Sequence, residues 1–136
     1  MIVRYSNKRF LFIPLIIFFL SCTKLFAQNT DRLIGKWELL SIEIDTAKIE
    51  FPKSGKFLLK ISNDSLKYNL SVNSCWTEYQ IEDSKIIYHS IACTEICCDD
   101  DNSSLINYSG AYSIEGNKLS IKNKVGVYQL NRIKED

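Results

Sequence analysis

The chain has 136 residues, with 17 Lys and Arg, 16 Asp and Glu, and one His, a formal net charge of +1. Arg4, Lys8, Arg9 and Lys24 all fall in the first 27 residues, which hold no acid, so the remaining 109 residues carry 13 basic and 16 acidic groups. That length fits one domain, mild acidity without a basic stripe excludes a nucleic-acid groove, and 46% hydrophobic content excludes a disordered chain.

Residues 1–27 read as a secretion signal. Arg4-Tyr5-Ser6-Asn7-Lys8-Arg9 is a basic start, and Phe10 to Leu20 is an unbroken apolar run of eleven residues. That is about half the ~20 residues a spanning helix needs, and no later segment approaches it. No membrane span is therefore expected in the mature chain. Leu25-Phe26-Ala27 offers cleavage before Gln28. A competing reading takes Phe18-Phe19-Leu20-Ser21-Cys22 as a lipobox, with Cys22 acylated as a lipid anchor. Both readings export the protein to the periplasm, the outer membrane or the exterior of a bacterium. The organisation that follows is a signal at 1–27, a short extension at 28–32, a β-domain at 33–132 and a tail at 133–136.

Beyond Ala27 the apolar residues recur every second position. Phe57, Leu59 and Ile61 form one face of a strand, and Leu66, Tyr68, Leu70 and Val72 form the next. Tyr79 and Ile81, Tyr112 and Ile114, Leu119 and Ile121, and Tyr128 and Leu130 repeat the rule. Polar turns separate them at Asn63-Asp64, Glu82-Asp83-Ser84, Glu115-Gly116-Asn117 and Asn123-Lys124. The expectation is an all-β fold, a small antiparallel barrel-like domain of about eight short strands, with at most one short helix near 99–108. Tyr79-x-Ile81-Glu82-x-x-Lys85-Ile86 is echoed by Tyr112-x-Ile114-Glu115-x-x-Lys118-Leu119, which reads as one hairpin recipe used twice rather than a solenoid repeat.

With Cys22 removed or lipidated, Cys75, Cys93, Cys97 and Cys98 remain, an even number that reads as two disulfides in an exported domain. A Cys75–Cys93 bridge would force a vicinal Cys97–Cys98 pair, an uncommon and strained arrangement. Cys93 and Cys97 would lie ~13 Å apart in an extended strand, but a turn at Thr94-Glu95-Ile96 brings them within bridging range. The expected pairs are Cys75–Cys98 and Cys93–Cys97, followed by Cys75–Cys97 and Cys93–Cys98. A zinc site built from these thiols with His89 is disfavoured, because adjacent cysteines suit tetrahedral coordination poorly and no Cys-x-x-Cys is present.

Several segments together resemble the META domain, a family of small exported bacterial β-domains. They are Leu33-Ile34-Gly35-Lys36-Trp37, Asn73-Ser74-Cys75, Tyr79-x-Ile81, Ile91 through Cys98, and Tyr112-x-Ile114-x-Gly116-Asn117-Lys118-Leu119. The resemblance implies that Cys75 and Cys98 are the family's cysteine pair and that Cys93 and Cys97 are additions. It implies no catalytic residue. Gly35-x-Trp37 is equally similar to the entry of lipocalin-like domains, a neighbouring barrel architecture.

Candidate sites are few. Asp99-Asp100-Asp101-Asn102-Ser103 offers oxygens for Ca²⁺ but lacks the rest of an EF-hand loop, so a solvated acidic loop is the better reading. His89 alternates with Ile87 and Ile91 and reads as a strand histidine rather than a general base. Trp37 reads as core; Trp76, beside a cysteine, reads as partly exposed. The rim of Trp76, Tyr79, Asp99, Asp100 and Asp101 is the expected contact surface. The expected function is a non-catalytic exported module that binds a partner protein or a small apolar ligand, or supports the envelope under stress. A lipocalin-like carrier of a small apolar ligand is the alternative, and a metal-dependent or hydrolytic enzyme the second; no metal and no cofactor is assigned. Intact-mass measurement of the exported protein should give a chain that begins at Gln28, whereas a diacylated Cys22 terminus would overturn cleavage after Ala27.

Overall fold

The computed structural model describes residues 30–134, and the β-domain is a unit that starts at Arg32. The signal at 1–27, the Ala27–Gln28 cleavage site and Cys22 lie outside the described residues. Among those described, no helix is long and apolar enough to cross a membrane.

Alternation produces strands, as expected, but eleven of them rather than about eight. They are β1 (Gly35–Ile44), β2 (Ala47–Glu50), β3 (Leu58–Ile61), β4 (Ser65–Asn69), β5 (Ser74–Glu78), β6 (Gln80–Glu82), β7 (Lys85–Ile87), β8 (Ala92–Cys93), β9 (Gly110–Glu115), β10 (Lys118–Lys122) and β11 (Val127–Arg132). One 3-10 turn, Asp101–Leu105, lies inside the segment where a short helix was expected. All strands belong to one antiparallel sheet that curls into a half-barrel, in the order β6-β7-β9-β10-β11-β1-β3-β4-β5-β8, with β2 added beside β1.

The extra strands come from splits. β1 pairs with β11 along one edge, while its other edge pairs with β3 over Gly35–Glu38 and with β2 over Ser41–Ile44. A bulge at Leu40 shifts the alternation by one, so Trp37 and Leu39 before it and Ile42 after it all face inward. A second split falls at Tyr79, where β5 ends and β6 begins one residue later. The two copies of the echoed motif are both hairpins, β6–β7 and β9–β10. Asp83 and Ser84 turn the first with φ of 47° and 59°, the type I′ pattern; Gly116, with φ of 58°, opens the second.

The interior is filled. Leu33, Trp37, Leu39, Ile42, Leu59, Ile61, Leu66, Ile86, Tyr108, Leu119, Ile121 and Tyr128 are fully buried. Tyr108 packs edge-on against Tyr68, centroids 5.2 Å apart, and tilted against Tyr128 at 5.8 Å. Such contacts fix ring orientation as well as burying area. One expected face fails: Leu66 and Tyr68 are buried, but Val72 is 46% exposed. β4 stops at Asn69, and the turn that follows, closed by Leu70 N–H donating to Asn73 O at 2.8 Å, carries Val72 outward.

Trp37 is as buried as its position before the closing strands implied. Its indole N–H donates to Leu33 O at 2.9 Å, and the Arg132 guanidinium lies 4.1 Å from its ring centroid. Trp37→Ala should destabilise the domain by about 3–5 kcal/mol, the usual cost of emptying a large aromatic site. Urea unfolding followed by circular dichroism checks this; a loss below about 1 kcal/mol would mean the site collapses without cost.

Candidate functional site

The chain between Ser74 and Glu82 belongs to both ends of the sheet. β5 pairs with β4, and one residue later β6 pairs with β7. Tyr79 makes the junction. Its N–H donates to Asp64 O at 3.2 Å and its hydroxyl to Ser62 O at 2.7 Å, and it is only 8% exposed. Burial first, then the nearby Tyr112 and Asp64, raise its hydroxyl pKa. Tyr79 therefore closes the barrel and is not part of a contact rim.

After β7 the chain leaves β6, passes through residues 88–91 outside any strand and pairs with β5 at β8, where Cys75 faces Cys93 and Trp76 faces Ala92. The Thr77 hydroxyl donates to Ser90 O across the gap. The seam so formed is open to solvent. A groove of about 370 Å³ is lined by Trp76, Thr77, Glu78, Ser90, Ile91 and Ala92. A second, of about 550 Å³, shares Glu78 and Ser90 and adds Tyr79, Tyr88 and His89. His89 is exposed on the 88–91 segment, two residues beyond the end of β7, so it is not the strand histidine that its alternation implied. Alternation with Ile87 and Ile91 was coincidental, because β7 stops at Ile87.

The loop beyond β8 is built by hydrogen bonds rather than by apolar burial. Asn73 is the hub. Its Oδ1 accepts from Ile96 N–H at 2.7 Å and from the Thr94 hydroxyl at 2.8 Å. Its Nδ2 donates to Ile96 O and to Asp99 Oδ2, both at 2.7 Å. Asp99 Oδ1 accepts from Val72 N–H at 2.7 Å, Asn73 N–H at 3.0 Å and the Ser71 hydroxyl at 3.2 Å. Hydrogen bonds from the Asn73 side chain, then from its backbone N–H, hold the Asp99 carboxyl down at about 2 against the opposing desolvation, with Val72 N–H and the Ser71 hydroxyl adding to them. Donors thus occupy the oxygens that a cation would need. Asp99 is a clamp on the β4–β5 turn, not a free rim acid; Asp100 and Asp101 remain exposed, and Asp101 opens the 3-10 turn. Among the described residues no cluster of His, Cys, Asp and Glu has metal-binding geometry.

The cysteines form two disulfides, but not the expected ones. Cys75 bridges Cys93 with Cα atoms 4.1 Å apart, and Cys97 bridges its neighbour Cys98. The first pair follows from register, since β5 and β8 place Cys75 and Cys93 directly opposite. Spacing along the chain favours Cys75–Cys98 and Cys93–Cys97 because it does not contain that register. All four sulfurs are taken up in these bridges. Two disulfides fit an oxidising environment outside the cytoplasm.

Trp76 is 48% exposed, as expected. The sequence did not single out its companions Val72 (46%), Ile91 (42%) and Ile96 (58%). Ile96 adjoins Cys97 in a segment without alternation, which is the available signal; Ile91 carries none, because it alternates with Ile87 and His89. Nothing local in the sequence marks Asn73 as the hub, because its partners lie more than 20 residues away.

No family model matches the chain, and no curated protein matches it. An NMR structure of a protein from Burkholderia xenovorans is similar in fold, with a TM-score of 0.62 over 78% of this chain and 87% of that one, at 13% identity. A likeness at that identity speaks for the half-barrel alone.

Asp99 provides a pH test. Its carboxyl lies at about 2 in the folded chain, below the ~3.9 of an unfolded aspartate. A depressed folded pKa contributes stability that is complete above the unfolded value and is lost as pH falls through the folded one. Unfolding free energies of Asp99→Asn, measured in urea at a series of pH values, should therefore vary less between about pH 4 and about pH 2 than those of the parent chain. Equal slopes would mean that the carboxylate does not clamp the turn.

Proposed function

We propose that this protein is a non-catalytic exported binding module, META-like in type, that engages a partner protein through the seam end of its half-barrel. The observation that carries this reading is the placement of exposed apolar side chains. Val72, Trp76, Ile91 and Ile96 are the large hydrophobic residues that stand exposed among those described, and all belong to the turn, strand and loop around Asn73, β5 and β8. Exposed apolar groups concentrated at one end mark contact surfaces, whereas scattered ones need no explanation. The underlying chain is stapled by Cys75–Cys93 and clamped by Asn73 and Asp99, so little order remains to be imposed on binding.

A filled interior favours this outer surface over a lumen. Trp37, Tyr108 and Tyr128 occupy the space that a lipocalin-like carrier would keep for its ligand. Export rests on the basic and apolar start of the chain and on the disulfides.

A photo-crosslinking residue placed at 76, 91 or 96 in the exported protein should capture a discrete partner, while one at exposed Lys122 on β10 should not. Trp76→Ala should weaken binding of that purified partner by at least about tenfold and leave the thermal midpoint within about 3 °C of the parent. Equal binding by the variant, or no crosslink from the three seam positions, would overturn the assignment. Loss of several kcal/mol on the Trp76 change would place that side chain in the core instead.

A further inference from the structure

We infer that Cys97–Cys98 is a thiol–disulfide exchange site, reversibly reduced by dithiols while Cys75–Cys93 stays intact, and that its redox state sets how firmly the Asn73–Asp99 clamp is held. This inference does not depend on the binding role proposed above.

The two bridges differ in what they can do for stability. Cys75–Cys93 joins residues 18 apart in sequence across paired strands, so it removes chain freedom from the unfolded state. Cys97–Cys98 joins neighbours, with a sequence separation of 1. Loop-closure stabilisation grows with the length of chain enclosed, and a bridge between neighbours encloses almost none. Global stability therefore gives no reason for this pair.

The bridges also differ in accessibility. Cys97 and Cys98 are both exposed; in the other bridge Cys93 is exposed too, but its partner Cys75 is 2% exposed in the core beside Tyr68. Attack on Cys93 would expel the Cys75 thiolate into apolar surroundings that disfavour the charge. Attack on Cys97 or Cys98 expels a thiolate into water. Leaving-group stability governs exchange rates, so the vicinal bridge should open first. In the exchange, a thiolate of an external dithiol bonds to one sulfur of the pair, and the other leaves as a thiolate and takes a proton. The second thiol of the dithiol then displaces the first cysteine. Two electrons and two protons pass to Cys97 and Cys98, and the dithiol becomes a disulfide.

A structural consequence follows from the backbone. Cys98 has φ of 90°, in the left-handed half of conformational space that non-glycine residues seldom occupy. The next residue is Asp99, whose oxygens accept from Val72 N–H, Asn73 N–H and Asn73 Nδ2. The bridge holds Cys98 in the conformation that delivers Asp99 to the clamp. With the bridge open, Cys98 is free to relax to extended φ and draw the carboxylate away.

The test uses the mature protein titrated with dithiothreitol, quenched by alkylation and mapped by mass spectrometry. Cys97 and Cys98 should be alkylated at a dithiothreitol concentration at least about tenfold below that needed for Cys75 and Cys93. Simultaneous alkylation of all four, or earlier alkylation of Cys75 and Cys93, would overturn the exchange site. Amide hydrogen exchange then reads the clamp: Val72 and Asn73 N–H should exchange at least about fivefold faster after selective reduction. They should do the same in the Cys97→Ser/Cys98→Ser chain, and recover on reoxidation of the parent. Unchanged exchange in both forms would refute the link to the clamp.

Discussion

The sheet depends on how Trp37 is held between the first and last strands. β1 is the strand with three partners, β11 on one side and β3 and β2 on the other. Trp37 projects from it into the core and is fixed at both polar features: its N–H reaches Leu33 O, and Arg132 of β11 covers its face. Arg132 in turn donates to Ile34 O at 3.0 Å and to Arg32 O, binding the entry of the chain to its final strand. Gly35 makes this approach feasible. Its φ is 143°, and a Cβ there would fall on Arg132 Nη1. A cation on an aromatic face, a glycine without a side chain and two captured carbonyls together set the register from which the other strands follow.

Where the sheet ends, a different solution appears. A half-barrel this small has edges, and exposed edges invite unwanted pairing. Here one continuous segment, residues 74–82, pairs with β4 in its first half and β7 in its second, bringing the two ends of the sheet together. The mismatch is confined to residues 88–91 and sealed at β8 by a cross-strand disulfide. The loop beyond has little apolar burial to hold it. Asn73, 7% exposed, supplies both donors and acceptors, and Asp99 satisfies the turn's N–H groups. Rigid polar scaffolding leaves the apolar side chains of the same segment outside, where they meet solvent.

The disulfides illustrate why local reasoning stops short. Judged by spacing along the chain, a vicinal bridge looked like the arrangement to avoid. The β6–β7 hairpin carries the chain out and back between Cys75 and Cys93, returning the second cysteine to the position opposite the first. Once that pair forms across the strands, Cys97 and Cys98 have each other as partners. Register decided the matter, and register belongs to strands distant in sequence.

The sequence by itself determined the all-β character, the alternating core positions in β3, β10 and β11, the hairpin turns at Asp83-Ser84 and Gly116-Asn117, the buried Trp37 and the exposed Trp76. Each is a local property: side-chain period, turn chemistry, or the solubility of one residue type. The tertiary structure alone decided the disulfide partners, the outward turn of Val72, the loop position of His89, and the use of Asp99 as a clamp rather than a free acid. Each depends on which strand lies beside which, and on where a strand stops. Those choices are made by pairing free energies summed over distant segments, which no window of neighbouring residues contains.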